Sequence, residues 1–276
     1  RKLFHADGLR YAVINADDGF GSALLGAIPP GVAPIAYRLE NDPFRTRFPA
    51  QWVIGRNLKF DVSGLSMDVY TPWGSGFLQC GLLGRFNASN LLAALASLCV
   101  SGLPFAEALK RLARTRTVPG RMERFDMGAG RPLAVVDFAH TAAALEAVLR
   151  SLRAHCRGKL WCVFGAGGDR DRGKRSLMGA VAERHADAIV LTDDNPRTED
   201  AERIVNDIRS GLKQPAAVHV EHDRAHAIGW ALQHAAENDI VLIAGKGHET
   251  VQIIGNRAVP FSDRERVRAI AREWSR

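Results

Sequence analysis

The chain has 276 residues, 46% of them hydrophobic and 24% charged, which is ordinary for a globular protein and enough for one large or two modest domains. No apolar run approaches the roughly 20 residues of a bilayer span, and Arg1-Lys2-Leu3-Phe4 lacks the apolar core of a signal peptide, so no membrane insertion and a cytoplasmic address are expected. The formal net charge of +7 favours polyanionic partners such as nucleotides and phosphorylated sugars; nucleic acid is not expected, because no stretch interleaves the arginines with aromatics as a stacking platform would.

In chain order, residues 11–15 read as a strand and 21–28 as a helix. From 53 to 83 apolar and polar residues alternate between glycine turns, the pattern of antiparallel hairpins. Two helices, 87–100 and 104–114, lead to the turn Val118-Pro119-Gly120-Arg121, which sets the expected domains at 1–119 and 120–276. Beyond it, the runs 133–139, 160–165, 188–192, 217–220 and 240–244 are almost continuously apolar, as parallel strands covered on both faces are. Residues 142–156, 177–186, 201–212, 224–237 and 264–274 carry apolar residues at helical spacing. The expected fold class is α/β, ending in a doubly wound, mostly parallel, Rossmann-like domain with ligands at the strand C-terminal ends. Cys80, Cys99, Cys156 and Cys162 show no CxxC spacing and read as buried thiols, not as a metal or disulfide framework.

Three loops follow these strands. Residues 165–175 join a strand to a helix with four glycines and six charges, a place where backbone amides hold an anion. Gly168-x4-Gly173-Lys174 imitates a phosphate-binding P-loop, but Arg175 stands where a Ser or Thr hydroxyl would bind magnesium, so that assignment is rejected. A GxGxxG reading fails as well, since Arg170 replaces its third glycine. In Thr192-Asp193-Asp194-Asn195-Pro196-Arg197-Thr198-Glu199-Asp200, Asp194 or Asn195 suits an Asx turn and Thr198 to Asp200 suit a helix cap. Capping does not explain Arg197, whose planar guanidinium suits a carboxylate. In Ala244-Gly245-Lys246-Gly247-His248-Glu249 the glycines admit a ligand to the backbone and Glu249 offers an anion for an ammonium group. At Asp137 to His140 an acid and a histidine end a strand, His140 serving equally as neighbour to a helix cap, and Asn87 or Ser89 could cap the helix after Gly84-Arg85-Phe86.

Seven segments in this order resemble the Mur ligase family, in its diaminopimelate-adding branch: Asn15-Ala16-Asp17-Asp18, Gly84-Arg85-Phe86-Asn87-x-x-Asn90, Gly120-Arg121-Met122-Glu123, Asp137-Phe138-Ala139-His140-Thr141, Gly167-Gly168-Asp169-Arg170-Asp171, Asp194-Asn195-Pro196-Arg197 and Lys246-Gly247-His248-Glu249. The resemblance implies the remainder of an ATP-binding central domain followed by an amino-acid-binding domain. It implies an ADP-forming ligase that joins meso-diaminopimelate to a UDP-MurNAc-dipeptide in peptidoglycan precursor synthesis, using ATP and Mg2+; a monomer is expected, a reading that rests on no motif in the sequence. It places Asn87 and Asn90 near the adenine, and Arg121, Asp137 and His140 as catalytic residues near ribose and phosphates. Arg170, Asp194, Asn195, Arg197, Gly245 and Glu249 would line the diaminopimelate pocket, and no metal ligand is assigned within this chain. Family members usually carry Tyr and Pro where this chain has Phe138 and Ala142, and often Cys at Ala166. They begin with a UDP-binding domain, a true P-loop and a carbamylated lysine, which the resemblance places just ahead of Arg1. The rival readings are a folylpolyglutamate-synthase-like ligase, a small P-loop kinase and a basic nucleic-acid module.

Overall fold

The computed structural model describes residues 2–39 and 50–275. The chain divides into two compact units between Arg116 and Thr117. The first contains β1 (Tyr11–Asn15), α1 (Gly21–Leu25), β2 (Ala33–Leu39), β3 (Gln51–Asp61), β4 (Gly64–Thr71), β5 (Gly74–Cys80), α2 (Arg85–Val100) and α3 (Phe105–Leu112). Its sheet runs in the order β1-β2-β3-β4-β5; the first three strands are parallel, and β4 and β5 are antiparallel to their neighbours. The expected hairpins are therefore present from β3 to β5, while β2 was not foreseen. Alternation puts Leu65, Met67 and Val69 of β4 in the core, where Leu91, Leu92 and Leu95 of α2 join them.

The second unit contains β6 (Glu123–Asp126), β7 (Leu133–Asp137), α4 (Ala142–Arg153), β8 (Leu160–Phe164), α5 (Gly173–His185), β9 (Ala188–Leu191), α6 (Ala201–Arg209), β10 (His219–Val220), α7 (Arg224–His234), β11 (Ile240–Ala244), β12 (Val251–Ile254), β13 (Arg257–Pro260) and α8 (Asp263–Trp274). The main sheet has the order β10-β9-β8-β11-β7-β6, parallel throughout except for β6. Its strands read as apolar runs because both faces are covered. Ala134, Val136, Val163, Val190, Val241 and Ile243 face α7 and α8 in one core. The alternate residues Val135, Cys162, Leu191 and Leu242 are equally buried and lie outside that cluster, on the side of α4 and α5. Order reverses where β11 inserts between β7 and β8, the crevice position for ligands in such sheets.

Several boundaries shift. Helix α5 starts four residues before the expected 177, and β10 keeps two residues because a 3-10 turn occupies 215–217. The strand β6 and the β12–β13 hairpin were not foreseen. All four cysteines are free, Cys156 half-buried and the others buried. Among the described residues no helix is long and apolar enough to cross a membrane.

Candidate functional site

The loops after β8 and β9 are locked together. Gly168 N donates to Asn195 O at 2.9 Å, and a Cβ on Gly168 would meet Pro196 O at 1.9 Å, so only glycine admits this approach. Arg175, with no solvent exposure, donates to both Glu199 oxygens, to Asp207 Oδ2 and to Gly167 O. The residue that spoils the P-loop pattern is thus the bolt of the two loops. Hydrogen bonds from Arg175 first, then from the Asp169 amide, with the nearby Arg172 charge, hold the Glu199 carboxyl down at about 2. Asp169 accepts from Thr198 N and Oγ1 at 3.1 and 2.9 Å, and Asp200 caps α6 by accepting from Glu202 N. Of the three residues read as possible caps, only Asp200 caps the helix.

Arg197 adopts a left-handed backbone, with φ of 55°. The β12–β13 hairpin holds it there: Arg197 N donates to Ile253 O, and Gly255 N donates to Arg197 O. Its Nη1 donates to Gly168 O at 2.8 Å and Asn195 O at 3.4 Å, while Nε and Nη2 have no partner among the described residues. A Cβ on Gly167 would lie 2.9 Å from Arg197 Nη1 and 3.6 Å from Arg170 Cγ, so both arginines flank one glycine. Arg170 is exposed and makes no hydrogen bond or ion pair among the described residues.

The Asn195 side chain forms no Asx turn. Its Oδ1 accepts from Lys246 Nζ and Ile253 N, both at 2.9 Å, and its Nδ2 donates to Glu249 Oε2 at 3.0 Å. Glu249 Oε2 also accepts from Lys246 Nζ at 2.9 Å, so a protein ammonium already sits beside the acid expected to hold a ligand's. Burial pushes the Glu249 carboxyl up, but the hydrogen bonds from Lys246 and Asn195 outweigh it and keep the group below its ordinary value. Asp194 is 9% exposed, and no side chain or amide among the described residues bonds its carboxylate. It faces Gly245, where a Cβ would meet Asp194 Oδ2 at 2.5 Å. Beneath these loops the fully buried Arg224 pairs through Nε and Nη2 with Asp263 at 2.7 and 2.9 Å and donates to Ala244 O, the last carbonyl of β11.

At the end of β7, Asp137 accepts from Met122 N and Ala139 N at 2.7 and 2.8 Å, so both oxygens hold backbone in place. Phe138 gathers three groups: Arg121 lies over its ring at 4.8 Å, and the His140 and His248 rings approach to 4.7 and 5.1 Å. His140 Nδ1 faces Phe138 O, its carbonyl accepts from Lys174 Nζ, and Thr141 caps α4. Burial draws the Lys174 ammonium below its ordinary value against the attraction of Asp194 and Asp171.

In the first unit α2 begins at Arg85 and its N-cap is Gly84, with φ of 89° and no side-chain cap, so neither Asn87 nor Ser89 caps it. Asn87 Nδ2 donates back to Leu83 O at 2.8 Å, and Asn90 Nδ2 lies 3.5 Å from Asn87 Oδ1. The two amides therefore share one side of the first turns.

Sequence reasoning missed Lys246, Arg224 and Arg175 as parts of this assembly. Arg224 carried a signal: a cation at the first position of a helix is disfavoured by the dipole unless an acid such as Asp263 pairs with it.

Comparison with known proteins follows the division of the chain. Residues 1–98 match the Mur ligase middle domain and residues 120–247 match the Mur ligase, glutamate ligase domain. The UDP-N-acetylmuramoyl-L-alanyl-D-glutamate--2,6-diaminopimelate ligase of Coxiella burnetii is 49% identical over 263 residues, which are 95% of this chain and 53% of that protein. The protein of that name from Alkalilimnicola ehrlichii is also 49% identical, covering 96% of this chain and 52% of its own length. The chain spans about half the length of the curated relatives it matches. A solved structure of a UDP-N-acetylmuramoyl-L-alanyl-D-glutamate--2,6-diaminopimelate ligase superposes with a TM-score of 0.79 at 35% identity, over 100% of this chain and 55% of the other.

Proposed function

Because the chain belongs to the Mur ligase family, we propose that it forms the amino-acid-recognising part, and part of the ATP-binding part, of a cytoplasmic ligase that adds meso-diaminopimelate to UDP-MurNAc-L-Ala-D-Glu. The observation that carries this reading is Arg197: its Nη1 is anchored on two carbonyls, and its Nε and Nη2 are left to meet a carboxylate beside the exposed Arg170. Diaminopimelate brings a distal carboxylate to that guanidinium, together with ammonium groups for Glu249 and Asp194. Lysine leaves the guanidinium unpaired, a loss of about 1–3 kcal/mol, or roughly ten- to a hundredfold in selectivity.

The residues fit a nucleotide as well. Each unit by itself carries groups that suit part of a nucleotide: in the first, Asn87 and Asn90 offer paired amides to an adenine edge; in the second, Arg121, with no carboxylate partner among the described residues, and the exposed His140 offer a cation and an imidazole to phosphate and ribose. Asp137 serves by position, holding the Met122 and Ala139 amides that shape this corner. When bound, ATP supplies the phosphoryl group that turns the D-glutamyl γ-carboxylate into an acyl phosphate, and the amino-acid amine displaces phosphate to form the amide. The chain's contribution is to orient that amine and to balance charge, with no covalent bond to the protein. Among the described residues no group of three or more His, Cys, Asp or Glu could hold a metal ion by itself; a magnesium ion that accompanies ATP is held largely by phosphate oxygens and water and needs no such group.

The test is phosphate release by the full-length enzyme with meso-diaminopimelate or L-lysine. The wild type should favour diaminopimelate by at least roughly tenfold in kcat/KM, and Arg197→Met should erase most of that preference. Equal use of both amino acids by the wild type would overturn the reading.

A further inference from the structure

The Lys246 ammonium has no solvent exposure, yet it carries a charge into the floor of the candidate amino-acid site. Burying a cation is costly unless its partners stay in place. Its partners are Asn195 Oδ1 and Glu249 Oε2, each at 2.9 Å, and the Asn195 amide closes the triangle by donating to the same Glu249 oxygen. No ligand reaches a side chain so enclosed, so whatever Lys246 does for binding it does through a neighbour. Asn195 keeps its orientation without it, since Ile253 N also bonds Oδ1. Glu249 depends on it more. Its side chain is 32% exposed, Oε2 is taken up by protein, and Oε1 has no hydrogen-bond partner among the described residues.

We propose that Lys246 is a positioning residue for the amino-acid site: by holding Glu249 Oε2 it turns Oε1 outward and keeps the carboxylate charged to receive the substrate's ammonium. The proposal rests on the function given above. Other groups also act on Glu249: His248 on its own loop, and Arg224 of α7, which is paired with Asp263 of α8 and also attracted by Asp194 on the loop after β9. None of these is hydrogen-bonded to the Glu249 carboxylate, which leaves Lys246 as its charged contact. Held below its ordinary value, Glu249 stays ionised to lower pH, and amino-acid binding persists until the pH falls through the folded-state value.

The experiment uses the full-length enzyme and its Lys246→Met, Glu249→Gln and Lys246→Met/Glu249→Gln variants. The Glu249 carboxyl is titrated by 13C NMR, and KM for the amino acid and for ATP is measured against pH. In Lys246→Met the Glu249 titration and the acid limb of the amino-acid kcat/KM should move together to higher pH, with the amino-acid KM raised roughly tenfold or more and the ATP KM within about twofold. An unmoved titration, or equal changes in both KM values, would overturn the proposal. The double variant carries no unpaired buried charge and decides the matter if Lys246→Met fails to fold: its amino-acid KM should match that of Glu249→Gln within about threefold, and a larger additional loss refutes action through Glu249. A wild type that ligates no diaminopimelate would sink the functional reading, while the NMR titration would still report on Lys246.

Discussion

Arg175 and Glu199 show how one ion pair can shape loops whose candidate site it never touches. Their side chains are 0% and 6% exposed, and they join the loops after β8 and β9 beneath Arg197. Arg175→Met leaves Glu199 with only the half-exposed Arg172 at 2.8 Å and the Asp169 amide as partners, which should destabilise the protein by about 1–3 kcal/mol in urea unfolding. The sign of the pH effect follows from a carboxyl held at about 2 against an ordinary 4.5. Its stabilisation is fully present above about 4.5 and fades as the pH falls toward 2, and Glu199→Gln should flatten that part of the stability profile. At this scale the sequence was only half legible. Asn195, Arg197 and Glu249 could be picked out as candidates because they stand in loops after apolar strands. Arg175 read only as a defect in a P-loop pattern, because its burial depends on Asp207, a residue 32 positions away.

Elements were legible where burial imposes a single pattern. The strands β7, β8, β9 and β11 are covered on both faces and therefore read as apolar runs; the four-residue β6, Glu-Arg-Phe-Asp, lies on the sheet edge, half in solvent, and reads as polar loop. The strand β2 was hidden by Pro34, which sits within it. The β12–β13 hairpin did carry a signal, Gly255-Asn256 following Ile253-Ile254 and separated by Arg257 from Ala258-Val259, outweighed by the loop character of its neighbours. The helices differ in how they start. Asp200 caps α6 through Glu202 N, and Asp200→Ala should cost about 1 kcal/mol, measured as a lower urea midpoint. A core change acts more strongly: Leu242 lies at the centre of β11 with no exposure, and Leu242→Ala should cost about 2–5 kcal/mol, with faster amide exchange in α4 and α5 than in α7 and α8.

Across the whole molecule, Arg170, Asp194, Asn195, Arg197, Gly245 and Glu249 all belong to the second unit. Diaminopimelate added alone to the full-length enzyme should therefore slow hydrogen exchange in residues 165–172, 193–200 and 244–250 roughly tenfold at saturation, and leave the strands β1–β5 unchanged. Protection spread evenly over both units would contradict this assignment. The same unit contains a contact with a wider bearing. A Cβ on Gly120 would fall 2.3 Å from Gly247 C, and one on Gly247 would fall 2.8 Å from Gly120 O, so two stretches of main chain touch with nothing between them. The polypeptide is thereby packed against the Lys246–Glu249 loop within four residues of the division at Arg116 and Thr117. A single residue added between Gly120 and Glu123 would therefore displace main chain packed directly against the Lys246–Glu249 loop, whereas one added before Thr117 lies outside that contact.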